Sequence, residues 1–269
     1  MSIITISRGS FSRGKEVAEK VAQRLGYQCI SREVLLDASE EHHIQEIKLL
    51  HAVKDAPSIL NRFLYGREKY ISYIQTALLR YVHKDNVVYH GFAGHFFIKH
   101  IRHVLKVRII ADFEDRIGIV MDRDGISRQE AIRFLKKVDE ERRKWSRTLY
   151  GIDTWDPSLY DLVLHIHKIT VEDAVGIICH TVGLKRFQTT PESQKEMDDA
   201  VLASEVKAAL IDLKPDIETS AKNGKVIVHT KAHESQEVKL IEEMEEIAKK
   251  VPGVKEVLVD VHPLLPYGE

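Results

Sequence analysis

Ser7-Arg-Gly-Ser-Phe-Ser-Arg-Gly-Lys-Glu16 is the stretch from which the chain is best read. A short β-branched run, Ile3–Ser7, precedes it and predicts a buried strand. A helix follows at once over Glu16–Leu25, with Val17, Ala18, Val21, Ala22 and Leu25 at helical spacing and Gly26 as its stop. A strand that passes through a loop into a helix N-terminus aims backbone N–H groups at one point, and the helix dipole adds positive potential there. Gly9 and Gly14 let the backbone approach an anion closely, and Lys15 follows directly.

Outward from that stretch, strand and helix patterns alternate. Strands are expected at Tyr27–Ile30, Asn86–Tyr89, Val104–Ala111 and Leu159–Ile166. Helices are expected at Arg32–Glu41, Ser58–Val82 and Phe113–Arg123, with a glycine-containing turn at Gly91–Gly94. Ser127-Arg-Gln-Glu130 is a capping box that opens a helix to about Tyr150, and Thr170 caps another to about Val182. The alternation predicts an α/β domain with a parallel sheet covered on both faces. After Arg186 the character changes. Phe187–Lys195 is polar and holds Pro191, which reads as a linker. Beyond it come a helix (Asp198–Leu213), a strand (Ile217–Ala221), an Asn223-Gly224 turn, a strand (Val226–Thr230), a helix (Glu234–Val251) and a strand (Val254–His262). Asn-Gly between two β-type runs is a hairpin signal. The expected division is therefore 1–186, a linker over 187–197, and a small α+β module over 198–269.

Charge separates the same two parts. Residues 196–269 carry 9 lysines, no arginine and 16 carboxylates, a net −7, whereas residues 1–195 carry +6. All arginines lie in the first part, and arginine suits planar contact with phosphate. A charge of +6 over that length is not the basic surface of a nucleic-acid binder. No apolar run is long enough for a membrane span, and no basic segment followed by an apolar core opens the chain. With only Cys29 and Cys179, no disulfide framework is implied, and a reducing cytoplasm is the expected location.

Gly9-xxxx-Gly14-Lys15 supplies the first seven positions of a P-loop, with Lys15 placed to neutralise outer phosphates. The eighth position is Glu16, where a Ser or Thr would hold Mg²⁺. The whole segment resembles the cytidylate kinase-like family of P-loop proteins. The stretches that carry the resemblance are Ile4-Thr-Ile-Ser-Arg8, Ser12-x-Gly14-Lys15-Glu16-Val-Ala18, Gly26-Tyr27 and Arg32-Glu33-Val-Leu35. Asp115-Arg116, Asp122-Arg123-Asp-Gly-Ile-Ser127, Lys137-Val138-Asp139, Arg142, Tyr150-Gly151, Asp156-Pro157 and Tyr160-Asp161-Leu-Val163 follow in order, so the likeness spans roughly residues 1–182. Family loops also carry Glu at the position of Glu16. Departures are Phe11 and Arg13 in place of small residues, Ser31 in place of Asp, and Phe92 where relatives have arginine. Val87–His90 also ends without a Walker-B-type Asp.

The resemblance implies a three-layer P-loop kinase-like domain that transfers phosphate from ATP, with Mg²⁺, to a nucleoside monophosphate or similar small acceptor, CMP or dCMP. It assigns donor-phosphate binding to Gly9, Ser10, Ser12, Arg13, Gly14, Lys15 and Glu16. Catalytic neutralisation falls to Lys15, Arg123 and Arg142, and substrate contact to Arg8, Arg32 and Arg116. Arg116 and Arg123 are seven apart and share a helix face, as do Arg143 and Arg147, with Asp139 and Asp153 available to orient guanidiniums. Fourteen histidines include the crowded His90, His95, His100 and His103, but no carboxylate or cysteine lies among them, and no metal site is assigned. Residues 198–262 resemble a BON domain through Val206, Leu210, Asn223-Gly224-Lys-Val226-Ile-Val228, Val238 and Val251-Pro-Gly253-Val254. Its acidity argues against an anionic membrane surface, leaving an interaction, regulatory or homo-oligomer contact role. A non-catalytic nucleotide sensor and a structural protein dominated by the second module are the alternative readings.

Overall fold

A computed structural model describes residues 1–31, 66–91, 94–98 and 100–263 of the chain. The described residues fall into two compact units, 1–31 with 84–190, and 66–83 with 191–263.

The first unit is built on five parallel strands. They are β1 (Ile3–Arg8), β2 (Gln28–Ser31), β3 (Val87–His90), β4 (Val104–Ala111) and β5 (Leu162–Ile166), in the order β2-β3-β1-β4-β5. Ile4 pairs with Val88 on one side and Leu105 on the other, so β1 is central. The chain leaves β1 toward one edge and later crosses to the other. A ligand crevice is therefore expected at the carboxyl end of β1. β1 alternates. Ile4 and Ile6 join Val107 and Ile109 of β4 in a core with Val17, Ala18 and Val21 of α1 (Gly14–Leu25). Val175 and Ile178 of α6 (Val171–Val182) complete that face. Thr5 and Ser7 point to the opposite face by the two-residue period of a strand.

Between β1 and α6 the chain forms α2 (Gly66–Val82), α3 (Gly94–Phe97), α4 (Phe113–Asp124) and α5 (Arg128–Tyr150), of which α2 belongs to the second unit. α4 and α5 bury Ile117, Val120, Ala131 and Leu135 against each other, with Phe11 of the loop packed on them. Asp112 caps α4, and the capping boxes Ser127/Glu130 and Thr170/Asp173 open α5 and α6 as expected. β5 begins at Leu162 rather than at Leu159 because Asp156 caps a 3-10 turn over Pro157–Leu159. The helix expected at Arg32–Glu41, the start of the one expected at Ser58–Val82, and Arg32 itself lie outside the described residues.

The second unit has a mixed three-stranded sheet. β6 (Glu218–Lys222) and β7 (Lys225–Ala232) are antiparallel, and β8 (Glu256–Pro263) is parallel to β7. Asn223 and Gly224 both take positive φ, 55° and 88°, as a tight hairpin of this sequence requires. α7 (Pro191–Leu210) and α8 (Glu234–Lys249) supply Val206, Leu210, Met244 and Ala248 to a core with Val226, Val228 and Val259. Two features differ from the expected division. α7 starts inside the span read as a linker, because Pro191 stands at the first helical position, where its missing N–H costs nothing. α2 lies on α7, with Thr76 Oγ1 donating to the Ser204 carbonyl at 3.0 Å and Arg80 paired to Glu205 at 2.8 Å.

Candidate functional site

The loop from β1 to α1 is shaped by two non-glycine residues in left-handed backbone, Phe11 at φ 53° and Arg13 at φ 60°. Gly9 N–H donates to the Ile109 carbonyl at 2.9 Å, and Ser12 Oγ to the Gly9 carbonyl at 2.9 Å. Gly14 is needed where it stands, since a Cβ there would lie 2.6 Å from the Cβ of Arg8. No side chain caps the N-terminus of α1, in contrast to α4, α5 and α6, so its first-turn amides are open to an external anion.

Helices α4 and α5 reach over this loop. Arg116 Nη2 donates to Ser10 Oγ at 2.5 Å and to Asp139 Oδ2 at 2.7 Å, and Ser10 Oγ donates to the other oxygen of Asp139. This triangle is largely buried, with the Arg116 side chain 12% exposed. One turn pair further along α4, Arg123 lies over the Phe11 ring at 4.5 Å and holds Asp124 in a two-pronged pair. The seven-residue spacing therefore brings both arginines to the loop. Arg142 Nη1 donates to the Arg8 carbonyl at 3.5 Å. Asp153 takes hydrogen bonds from Arg143 and Arg147, and the first of these above all holds its carboxyl well below the usual range.

The other expected donors point away. Arg13 pairs with Glu16 at 2.8 Å, and Lys15 sits on the exposed side of α1, 3.6 Å from Glu19. Lys15 is 62% exposed, free of burial, on a stem long enough to swing toward the loop. Structure thus gathers Gly9, Ser10, Ser12, Gly14, Arg8, Arg116, Arg123 and Arg142 around one loop, with Arg13, Lys15 and Glu16 on its outer flank.

Three residues were given no site role by the sequence. Arg108 of β4 is buried and donates from Nη1 to Ser7 Oγ at 3.5 Å and Tyr160 Oη at 3.4 Å. Tyr160 Oη is 3.0 Å from the Thr154 carbonyl and 3.3 Å from Ser7 Oγ. His95 of α3 lies beside Tyr160, with ring centroids 4.8 Å apart and ring planes tilted by 43°. Burial, with help from Arg108 and Lys106, pushes the His95 pKa down to about 3, so the ring is neutral. The available signal was Arg108 itself, a second charge after Lys106 inside the β-branched Val104–Ala111 run and the one whose side chain is buried.

For Mg²⁺, Ser10 and Asp139 offer oxygens of the right hardness, but the Arg116 guanidinium donates to both and would have to withdraw before a cation could take them. Among the described residues, the one group with metal-ligand spacing is His229, Asp260 and His262 of the second unit.

A central strand, an open helix N-terminus at its carboxyl end and arginine-bearing helices above it define a P-loop kinase-type α/β module. A solved structure of an uncharacterized protein from Eubacterium ventriosum shares this fold, at TM-score 0.52 and 19% identity over 68% of this chain and 98% of that one. The model of the Cytidylate kinase-like family matches residues 3–168, and the chain belongs to that family. Similar proteins include the cytidylate kinase of Archaeoglobus fulgidus, 28% identical over 190 residues, which are 69% of this chain and 97% of that one. That of Sulfolobus acidocaldarius is 25% identical over 187 residues, with the same coverage. No described helix is long and apolar enough to cross a membrane.

Proposed function

We propose that the first unit transfers a phosphoryl group from ATP to a nucleoside monophosphate, CMP or dCMP by kinship with the cytidylate kinases it resembles. The observation that carries this reading is the convergence of Arg116, Arg123 and Arg142 on the uncapped loop before α1. Phosphoryl transfer asks for positioning and charge neutralisation rather than covalent chemistry. Amides of Ser10–Lys15 hold the donor phosphates. Lys15 swings from Glu19 to meet their outer charge. Arg123 and Arg142, carried on α4 and α5, neutralise the group in transit. Arg116 keeps Ser10 and Asp139 aligned, and on releasing them it would leave two oxygens to hold Mg²⁺, which would screen phosphate charge when bound. Arg8 and Arg32 are assigned to the acceptor side.

The second unit is read as a BON-like interaction module. Its mixed sheet, its Asn223-Gly224 hairpin and its acidity support a protein-facing or homo-oligomeric role in place of a membrane one. A nucleotide-sensing role without transfer is the second reading, favoured by one observation: the loop hydroxyl of Ser10 is already engaged by Arg116 and Asp139.

A coupled assay with ATP, Mg²⁺ and a panel of monophosphates separates the two. The kinase reading expects turnover with a pyrimidine monophosphate, and Lys15→Ala should lower kcat/KM by roughly two orders of magnitude or more. Nucleotide binding with no acceptor ever phosphorylated gives the site to the sensor reading.

A further inference from the structure

Among the described residues, the first unit encloses a positive charge without a counter-charge. Arg108 is 8% exposed in the middle of β4. Its strand neighbours Val107 and Ile109 lie in the core with α1 and α6, so Arg108 points to the opposite face, the face of Ser7. Its partners among the described residues are two neutral hydroxyls, Ser7 and Tyr160, at the long distances of 3.5 and 3.4 Å, and the face of the Tyr160 ring. Among the described residues no carboxylate pairs with it. A buried guanidinium left unpaired is strongly destabilising, and hydroxyls or water solvate it without cancelling its charge.

Two more buried polar atoms lie on the same face without a partner. His95 is 3% exposed, its ring against Tyr160, and its Nε2 has no hydrogen bond among the described residues. Thr5, two residues before Ser7 on β1, is 1% exposed, and its Oγ1 is likewise unsatisfied. Buried polar groups in folded proteins are nearly always paired, so unpaired atoms beside an unneutralised arginine mark a place where something else completes the bonding. Ser7 also opens the phosphate-loop stretch, which puts this cluster beside the donor site.

We propose that Arg108, with Tyr160, Ser7 and His95, binds the phosphate monoester of the phosphoryl acceptor. This rests on the kinase reading and assigns residues to its acceptor. A phosphate monoester presents three oxygens and a full negative charge. Arg108 offers the planar fork that matches two of those oxygens. Ser7 offers a hydroxyl, Tyr160 offers a second once its O–H turns from the Thr154 carbonyl, and neutral His95 offers one ring N–H without adding a second buried charge. An acceptor lacking that phosphate would leave Arg108 unneutralised, which makes the residue a discriminator between nucleotide and nucleoside.

Calorimetry on the full chain, with CMP, cytidine and a non-hydrolysable ATP analogue as separate ligands, tests this. Wild-type protein should bind CMP about 100-fold more tightly than cytidine. Arg108→Met should reduce CMP to the level of cytidine while leaving the ATP analogue unaffected, and Tyr160→Phe should weaken CMP by about tenfold. Unchanged CMP affinity in Arg108→Met, with the analogue still bound, overturns the Arg108 assignment and leaves the kinase reading intact. Failure of wild type to bind the analogue sinks the kinase reading instead. Should Arg108→Met not fold, the guanidinium resonances of Arg108 in wild type give the answer. They should shift on titration with inorganic phosphate, and resonances that stay put refute the assignment.

Discussion

Phe11 and Arg13 hold the loop in a backbone conformation that L-residues avoid, at a cost of about 1–2 kcal/mol each. Phe11 recovers this by packing its ring 5.8 Å from Phe134 and under Arg123. Arg13 recovers little, because its pair with Glu16 is exposed. Arg13→Gly should therefore stabilise the protein by about 1 kcal/mol, measured by urea unfolding, whereas Phe11→Gly should destabilise it. Sequence marked both positions as unusual for a phosphate loop, but the sign of φ belongs to the packed loop and is invisible in residue type. Arg108 was hidden for another reason: alternation along β4 tells which residues share a face, not which face meets an anion. His95 makes a pH prediction. Its folded pKa lies near 3, below the ordinary 6.5, so the unfolded chain takes up the proton first as the solution is acidified. Stability from this group is full above pH 6.5 and is lost as pH falls toward 3, at up to about 1.4 kcal/mol per pH unit. Urea midpoints across that window should slope less in His95→Gln than in wild type, and identical slopes would refute buried neutrality.

Elements were the most legible scale. Capping boxes at Ser127 and Thr170, the Gly26 stop and the Asn223-Gly224 hairpin all act through a few adjacent residues, and each formed where its local chemistry placed it. At two limits that shifted, a proline stands at the new boundary: Pro157 in a 3-10 turn before β5, and Pro191 opening α7 instead of ending a linker. Proline constrains φ in both settings, so composition alone cannot tell a helix start from a loop. The short helix α3 hangs on a contact rather than a pattern. A Cβ on Gly94 would fall 2.1 Å from the Tyr89 ring, and Tyr89 is almost fully buried. Gly94→Ala should displace α3 and lower the thermal midpoint by several degrees, by a cost of about 1–3 kcal/mol, whereas Gly118→Ala, with open space around it, should not.

At the scale of the molecule, the chain divides between residues 190 and 191, inside the span read as a linker, and the sequence carried no sign that α2 groups with the later unit. The charge shift near residue 195 is real in the sequence, but α2 joins the later unit through bonds from Thr76, Arg80 and His83 to α7. Contacts between residues more than a hundred positions apart leave no periodic trace in the chain. A fragment cut after Thr190 should therefore be aggregation-prone, because the α2 surface that α7 covers is bared, while the full chain stays soluble. Size-exclusion chromatography of the two distinguishes these outcomes, and a well-behaved 1–190 fragment would count against α2 as part of the second unit. The same discontinuity imposes an order in time. A ribosome releases α2 more than a hundred residues ahead of α7, a delay on the order of ten seconds at ordinary elongation rates. Throughout that interval the helix waits without its covering partner, so the nascent chain, rather than the finished protein, is the form most exposed to misassembly and most in need of a chaperone.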